Sequence, residues 1–278
     1  MSTKSAESSG FDKKYPIASE LGIKNLYKFY SFNPEHAKFT KVLFLDKKLH
    51  HNAPSNFNDP FECRPHFRIS DSDQAKKNTI LHLVNSPYLQ DMTRDERILL
   101  ALQLNNDPKL SKKTLREAFE ANFLAARICC FTIKKDNLLM WSHYANSHTG
   151  YCVEFNTDNP AIKCAHKVNY SNQYPELTYP LDVEDLIVLA LNKSIEWAYE
   201  DEFRLIINSD FQYSSLISGD FLTLSPPDIK SVYLGAKMSQ LNKRAFLSII
   251  KQSDFKPEIF QAKLSENSFQ LVFEKVKY

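Results

Sequence analysis

The chain has 278 residues, of which 43% are apolar and 24% charged. This is the composition of an ordinary globular protein and excludes global disorder. The formal net charge is +2, so it indicates no strong attraction to nucleic acid or membrane, although a local patch is not excluded. The 5 glycines are few, and neither a Walker pattern nor a dinucleotide fingerprint is present.

The cysteine pattern favours a reducing compartment. The 5 cysteines form no C-x-x-C pair, and no signal peptide precedes them. We therefore expect free thiols, a cytoplasmic location and no zinc site. No uninterrupted apolar stretch approaches the ~20 residues that span a bilayer, so no membrane partner is expected.

The first half of the chain predicts a tail, a strand and a helical region. Residues 1–20 are expected to be flexible, since their first part is polar and rich in Ser and Lys. Residues 21–278 are expected to form a single α+β domain. Asn25–Phe32 favours a strand that leads into a small helix near Pro34. Apolar residues at helical spacing predict a helical insert at about 71–126, with Ser111 as N-cap of its third helix.

The second half alternates strand and helix patterns without a regular βαβ rhythm. We predict a mixed or antiparallel sheet, which could be split, with flanking helices. Strands are predicted at Arg127–Thr132, Gly150–Phe155, Trp197–Asn208 and Ile229–Leu234 and in a hairpin of Glu258–Leu264 with Phe269–Phe273, and helices at Leu138–Asn146, Val183–Leu191 and Gln240–Lys251.

The strongest candidate for chemistry is Glu200-x-Glu202-x-Arg204. On a strand, residues two apart share a face, so two carboxylates and a guanidinium would line one side. Such a group could stabilise an oxocarbenium-like transition state, bind ribose hydroxyls or activate a nucleophile. The structural alternative is a solvated strand face with ion pairs that contribute little.

A second candidate lies between Leu138 and Gly150. In a helix, Trp141 and Tyr144 would share a face with His143 beside them, and His148 follows in a polar loop. A histidine of near-neutral pKa could act as acid, base or phosphate partner. The alternative is a packed, hydrogen-bonded histidine. The spacing of His143 and His148 matches no common metal motif.

Two shorter motifs complete the candidate site. Asn58-Asp59-Pro60 predicts a turn whose polar side chains either bond the backbone or hold a ligand. Tyr27-Lys28 places a cation among aromatic residues, either as half-buried packing or as a platform for a nucleotide. We expect Asn58–Phe61, Met140–Tyr144 and Glu200–Arg204 to meet in one hollow.

Taken in order, these motifs resemble those of the mainly bacterial domain-of-unknown-function family 2971, which implies a shared fold and site but no activity. The motifs are Leu26-Tyr27-Lys28-Phe29, Asn58-Asp59-Pro60-Phe61, Cys130-Phe131-Thr132, Met140-Trp141-Ser142-His143-Tyr144-Ala145 with His148-x-Gly150-x-Cys152, Trp197-x-x-Glu200-x-Glu202-x-Arg204, and Val232-Tyr233-Leu234-Gly235.

A more distant likeness is to the ADP-ribosyltransferases, which carry three site elements in chain order. Tyr27-Lys28 resembles the first, Thr132 the second and Glu202, with Glu200, the third. The likeness implies that Glu202 holds the nicotinamide ribose, and that Thr132 positions it. The remaining implied contacts are with NAD phosphates by Lys28 or His143, and with nicotinamide by Tyr144 or Trp141.

The leading hypothesis is therefore an NAD-consuming transferase, such as a stress or phage-defence effector. One alternative is a hydrolase or nuclease with Glu200, Glu202 and Asp59 around a divalent ion. The other is a module that binds a nucleotide, another small molecule or a protein, without turnover, through an aromatic face formed by Trp141, Tyr144 and Trp197. NAD is the expected substrate in the first case, and no metal is expected there.

Overall fold

A mixed β-sheet of eight described strands lies in the first of two units into which the chain divides. The computed structural model describes residues 10–69, 72–86, 89–123, 126–178, 183–207 and 214–278. The first unit comprises residues 1–52, 127–170 and 194–278, and the second comprises residues 53–126 and 171–193. The interspersed helices and strands confirm the predicted α+β class.

The described strands and helices are numbered in chain order within each class. The strands are β1 (Asn25–Tyr30), β2 (Lys48–His50), β3 (His66–Arg68), β4 (Arg127–Thr132), β5 (Tyr151–Asn156), β6 (His166–Lys167), β7 (Asn169–Ser171), β8 (Glu176–Thr178), β9 (Asn192–Ser194), β10 (Glu202–Ile207), β11 (Ile217–Ser218), β12 (Phe221–Thr223), β13 (Ile229–Leu234), β14 (Glu258–Leu264) and β15 (Leu271–Lys275). The helices are α1 (Gly10–Lys14), α2 (Lys38–Phe44), α3 (Asp73–Val84), α4 (Arg94–Asn106), α5 (Pro108–Phe123), α6 (Leu138–Tyr144), α7 (Val183–Ala190) and α8 (Gln240–Gln252). Residues 1–9 of the predicted flexible tail lie outside the described residues. The rest of the tail is described and includes α1 and the buried Tyr15.

The large sheet has the strand order β15-β14-β13-β5-β1-β4-β10-β6. Among its described pairs, β13 and β14 are parallel and the others antiparallel, so the sheet is mixed. Helix α8 connects β13 to β14 and supplies the crossover that a parallel pair needs. Strands β4, β13 and β14 have the predicted bounds, and β14 and β15 form the predicted hairpin.

Side chains alternate between the two faces along each strand, and the central strands β1 and β5 carry buried residues on both faces. On one face, Leu26 of β1 and Val153 of β5 join the larger apolar core, together with Phe246 of α8. On the other face, Tyr27 and Phe29 of β1 pack in a smaller core with Met140 and Trp141 of α6. The candidate residues on β1, β4 and β10 are therefore divided between two buried faces.

The second unit contains the region that was predicted to be helical, with α3, α4 and α5. The predicted N-cap at Ser111 is wrong, because α5 already begins at Pro108. Asp107 Oδ1 accepts hydrogen bonds from the backbone N–H groups of Lys109 (2.9 Å) and Leu110 (3.0 Å), as an N-cap does. Ser111 instead donates its hydroxyl to the carbonyl oxygen of Leu104 at 2.5 Å.

Candidate functional site

Glu200 does not lie on the strand that carries Glu202 and Arg204. It ends a short 3-10 helix, Ile195–Glu200, and Asp201 follows with φ 44°, in the left-handed region. Asp tolerates this conformation better than most residues because its short side chain can bond locally. Strand β10 begins only at Glu202. The prediction of one strand face bearing both glutamates is therefore wrong for Glu200.

Glu202 and Arg204 form a buried, two-point ion pair. Arg204 Nε lies 2.9 Å from Glu202 Oε1, and Arg204 Nη2 lies 2.9 Å from Glu202 Oε2. The two side chains are 0% and 5% exposed. Planar guanidinium and carboxylate groups that meet in this way hold each other in one orientation. The solvated strand face that was the structural alternative for this pair is thus absent.

Tyr27, Thr132 and Glu202 form a row across three adjacent strands. Tyr27 of β1 is paired with Thr132 of β4, and Thr132 is paired with Glu202 of β10. Directly opposite residues in antiparallel strands have Cβ atoms roughly 4.5–5.5 Å apart and point to the same face. On the other side of Tyr27, the row continues to Glu154 of β5. We call Glu154, Tyr27, Thr132 and Glu202 the polar row.

Lys28 lies on the opposite face of β1 from Tyr27, since neighbouring strand residues alternate. Its ammonium donates a hydrogen bond to the carbonyl oxygen of Cys130 at 3.1 Å and lies 5.7 Å from the centre of the Tyr30 ring. Tyr27 and Lys28, which the sequence treats as one motif, therefore serve different faces of the sheet.

Several hydrogen bonds anchor the loop from β4 to α6, residues 133–137. Thr132 Oγ1 accepts from the backbone N–H of Lys134 at 3.0 Å. The carbonyl oxygen of Lys135 accepts from Trp141 Nε1 at 2.7 Å. Asn137 Nδ2 donates to the carbonyl oxygen of Tyr199 at 2.6 Å. The loop thus connects Thr132, α6 and the 3-10 helix before β10.

Helix α6 meets this 3-10 helix through Tyr144, whose hydroxyl lies 2.5 Å from Glu200 Oε1. Asn137 caps α6, because its Oδ1 accepts from the N–H groups of Leu139 and Met140. Trp141 is 0% exposed, so its indole is a core group. Tyr144 is half-buried and is the one of these two aromatic residues with exposed surface.

The two candidate histidines differ in environment. His143 is exposed, and its ring lies 6.3 Å from that of Tyr199. His148 stacks on Trp141 with an interplanar angle of 11°, and its Nε2 lies 3.2 Å from Ser142 Oγ. Burial, followed by the charge of Lys237, lowers the pKa of His148. His148 therefore favours the neutral form.

Asn58 and Asp59 belong to the second unit. Asp59 is 7% exposed, and its Oδ1 accepts from the backbone N–H of Phe61 at 2.9 Å. This bond supports the predicted turn, in which the carboxylate stabilises its own backbone. Asn58 is exposed. The first unit alone brings together the polar row, Arg204, Glu200 and Tyr144.

Sequence reasoning missed residues that build this region. Asn137 could have been found, because Asn directly before an apolar helical run is an N-cap signal. Glu154 also carried a signal, as a single carboxylate within the apolar segment Gly150–Phe155. Its Oε2 accepts from the Tyr233 hydroxyl at 2.6 Å. Burial and the Glu154 carboxylate raise the pKa of both Tyr27 and Tyr233, so both hydroxyls remain protonated. Neither tyrosine had a sequence signal for this role.

Comparison with known proteins supports the family resemblance over part of the chain. Residues 140–205 match the family described as "Protein of unknown function (DUF2971)". This match confirms the predicted resemblance and spans Trp141, Glu200, Glu202 and Arg204. The chain has no significant match among curated proteins or among solved structures.

Two negative findings apply to the described residues. No group of three or more His, Cys, Asp or Glu side chains there could hold a metal ion. A helix with the length and apolar character of a membrane span is absent from the described residues.

Proposed function

We propose that this protein consumes NAD by chemistry of the ADP-ribosyltransferase type, at the Tyr27–Thr132–Glu202 part of the polar row. One observation carries the proposal: three residues that are far apart in the chain are direct neighbours across β1, β4 and β10. Thr132 and Glu202 stand at the second and third ordered elements of the likeness to that enzyme class. Tyr27 is the aromatic residue of the first element, whose cation, Lys28, faces the other side of β1.

Glu202 supplies the negative charge that this reaction needs. As nicotinamide leaves, positive charge develops on the ribose, and a fixed carboxylate nearby stabilises it. Arg204 holds both carboxylate oxygens at 2.9 Å, which favours the ionised form and fixes its direction. A carboxylate has about four lone-pair sites, and the proposal requires one of those on Glu202 to accept a hydrogen bond from a ribose hydroxyl.

Thr132 is placed to position the same sugar. Its Oγ1 accepts from the N–H of Lys134, and a hydroxyl that accepts one bond retains its own proton for donation. The Thr132 hydroxyl can therefore donate to a ribose oxygen beside Glu202. Exposed His143 and half-buried Tyr144 of α6 are the proposed contacts for the phosphates and for nicotinamide.

The burial of the row sets a requirement on this mechanism. Thr132 is 0% exposed and the Glu202 side chain 5% exposed. NAD can reach them only if binding displaces the groups that cover this end of the sheet. The Tyr144–Glu200 hydrogen bond is the contact proposed to open, since it joins α6 to the segment before β10.

The test is nicotinamide release, measured by chromatography after incubation of the purified protein with NAD, with and without a cell lysate as acceptor source. Glu202→Gln preserves the shape of the side chain and should lower the rate about 10²–10³-fold, as expected for loss of one charge-stabilising group. The matched control is Glu274→Gln, an exposed glutamate of β15 paired with Lys263, which should leave the rate unchanged.

Three results would contradict the proposal. They are absence of nicotinamide release by the wild type, equal rates for wild type and Glu202→Gln, and saturable NAD binding without turnover. The last result would instead support a binding module. Tryptophan fluorescence of each variant separates lost chemistry from lost folding.

A further inference from the structure

Three aromatic rings surround the ammonium group of Lys135 on the Tyr27 face of the sheet. Lys135 Nζ lies 5.7 Å from the ring centre of Tyr27, 5.7 Å from that of Tyr233 and 5.9 Å from that of Phe273. Ring faces carry negative potential and attract cations within about 6 Å of the ring centre. We call Tyr27, Tyr233 and Phe273 the aromatic cage.

The walls of the cage have support other than Lys135. Tyr233 stacks on Phe260 with a ring separation of 5.2 Å and an angle of 16°. The plane of the Tyr233 ring is inclined by 61° to that of the Tyr27 ring and by 73° to that of the Phe273 ring. Strands β1, β13 and β15 carry the three rings. Because backbone pairing and ring stacking position these walls, the cage does not require Lys135 to form.

A buried carboxylate gives the cage a negative neighbour. Glu154 is 4% exposed, and its Oε2 accepts from the Tyr233 hydroxyl at 2.6 Å. The only described cation paired with Glu154 is Lys230, which lies 3.3 Å from Oε1. Lys135 forms no ion pair with any carboxylate of the described residues. Its ammonium is thus held there by the rings and the nearby charge.

The distances indicate that the cage is wide for a primary ammonium. All three lie close to the outer limit of about 6 Å for this interaction. In a methylated ammonium, each methyl carbon lies roughly 1.5 Å from the nitrogen and can therefore be that much closer to a ring. A trimethylammonium group at the position of Lys135 Nζ would therefore place methyl carbons roughly 4 Å from the ring centres, which is ordinary contact distance.

We propose that the aromatic cage is a binding site for a small organic cation bearing a trimethylammonium group, and that Lys135 occupies it when the ligand is absent. Lys135 can leave without disturbing the backbone. Its carbonyl remains bonded to Trp141 Nε1 at 2.7 Å, and its half-buried side chain can extend into solvent. Lys135 thus acts as a tethered competitor. The site goes beyond the proposed NAD chemistry, and its binding can be measured without NAD.

The experiment is titration calorimetry with choline as the probe. The neutral control ligand is 3,3-dimethylbutan-1-ol, which has the shape of choline without its charge. Lys135→Ala should bind choline at least tenfold more tightly than the wild type, because the competitor is removed, and at least tenfold more tightly than it binds the neutral alcohol. Lys263→Ala, which removes a half-exposed lysine of β14, should match the wild type.

A second variant tests the walls. Phe273→Leu in the Lys135→Ala protein keeps an apolar side chain but removes one ring face, and should weaken choline binding at least fivefold. The proposal is overturned if Lys135→Ala binds choline no better than the wild type, or no better than the neutral alcohol. It is also overturned if Phe273→Leu leaves choline binding unchanged in protein that tryptophan fluorescence shows to be folded. Loss of nicotinamide release has no bearing on these outcomes.

Discussion

Replacing Arg204 by Met should strongly destabilise the first unit. The change puts an unbranched apolar side chain in the place of the arginine and removes the guanidinium that meets both oxygens of Glu202 at 2.9 Å. The carboxylate, with its side chain 5% exposed, would stay buried without this charge partner. Removing one member of a buried ion pair costs roughly 3–5 kcal/mol.

Urea denaturation followed by tryptophan fluorescence measures this effect. The chain has 2 tryptophans, Trp141 and Trp197, and both belong to the first unit. Their emission therefore reports the unit that contains the ion pair. With an m value of roughly 2–3 kcal/mol/M, the midpoint for Arg204→Met should fall by roughly 1–2.5 M urea.

Two controls make the result interpretable. Lys263→Met breaks an ion pair whose side chains are 54% and 57% exposed, and should cost at most about 1 kcal/mol. Glu202→Leu combined with Arg204→Met should recover much of the lost stability, because replacing both members of a buried pair by apolar groups is often neutral. If Arg204→Met shifts the midpoint no further than Lys263→Met, the reasoning about this buried pair is refuted.

Three further predictions use the same urea assay. Gly150→Ala should cost roughly 3 kcal/mol or more, since its Cβ would lie 2.0 Å from the Tyr30 carbonyl oxygen; Gly22→Ala, at φ +67° with open space around it, should cost only roughly 1–2 kcal/mol, and equal losses would contradict this. Asn137→Ala should cost about 1–2 kcal/mol, because it removes the α6 cap and the hydrogen bond from Nδ2 to the Tyr199 carbonyl oxygen; Asn137→Ser, which loses the same bond but keeps a capping oxygen, should cost less, and equal losses would exclude capping as a cause. Burial lowers the pKa of His51 from 6.5 to about 3, so the contribution of neutral His51 is complete above pH 6.5 and is lost as pH falls toward 3, by up to about 1.4 kcal/mol per pH unit. His51→Gln should flatten this acid dependence, and an unchanged slope between about pH 7 and pH 4 would contradict the assignment.

The segments predicted well are those in which local pattern and tertiary role agree. Strands β4 and β13 are largely apolar runs buried in the sheet, and their predicted bounds match. Such runs predict strands because a buried strand presents apolar side chains on both faces. The terminal hairpin was also predicted, although both of its strands are partly exposed and β15 begins at Leu271 rather than Phe269.

The two wrong assignments concern positions where one residue changes the local backbone. Glu200 was placed on the strand because the alternation of polar and apolar residues was taken to include Asp201. The left-handed φ of Asp201 instead separates the 3-10 helix from β10. Ser111 was chosen as a cap on residue type, while Pro108, a favoured first helical residue, follows the actual cap at Asp107. The Asp107-Pro108 step was itself a sequence signal that favours Asp107 over Ser111 as the cap.

Sequence alone determined the α+β class, most strands of the large sheet, the α6 helix and the family resemblance over residues 140–205. These features depend on local side-chain periodicity and motif spacing, which are properties of the sequence itself. Tertiary structure alone decided that Tyr27, Thr132 and Glu202 are cross-strand neighbours. It also placed Lys135 among three rings from β1, β13 and β15. Strand order and register arise from the packing of whole faces, so contacts between distant segments have no signature in any one of them.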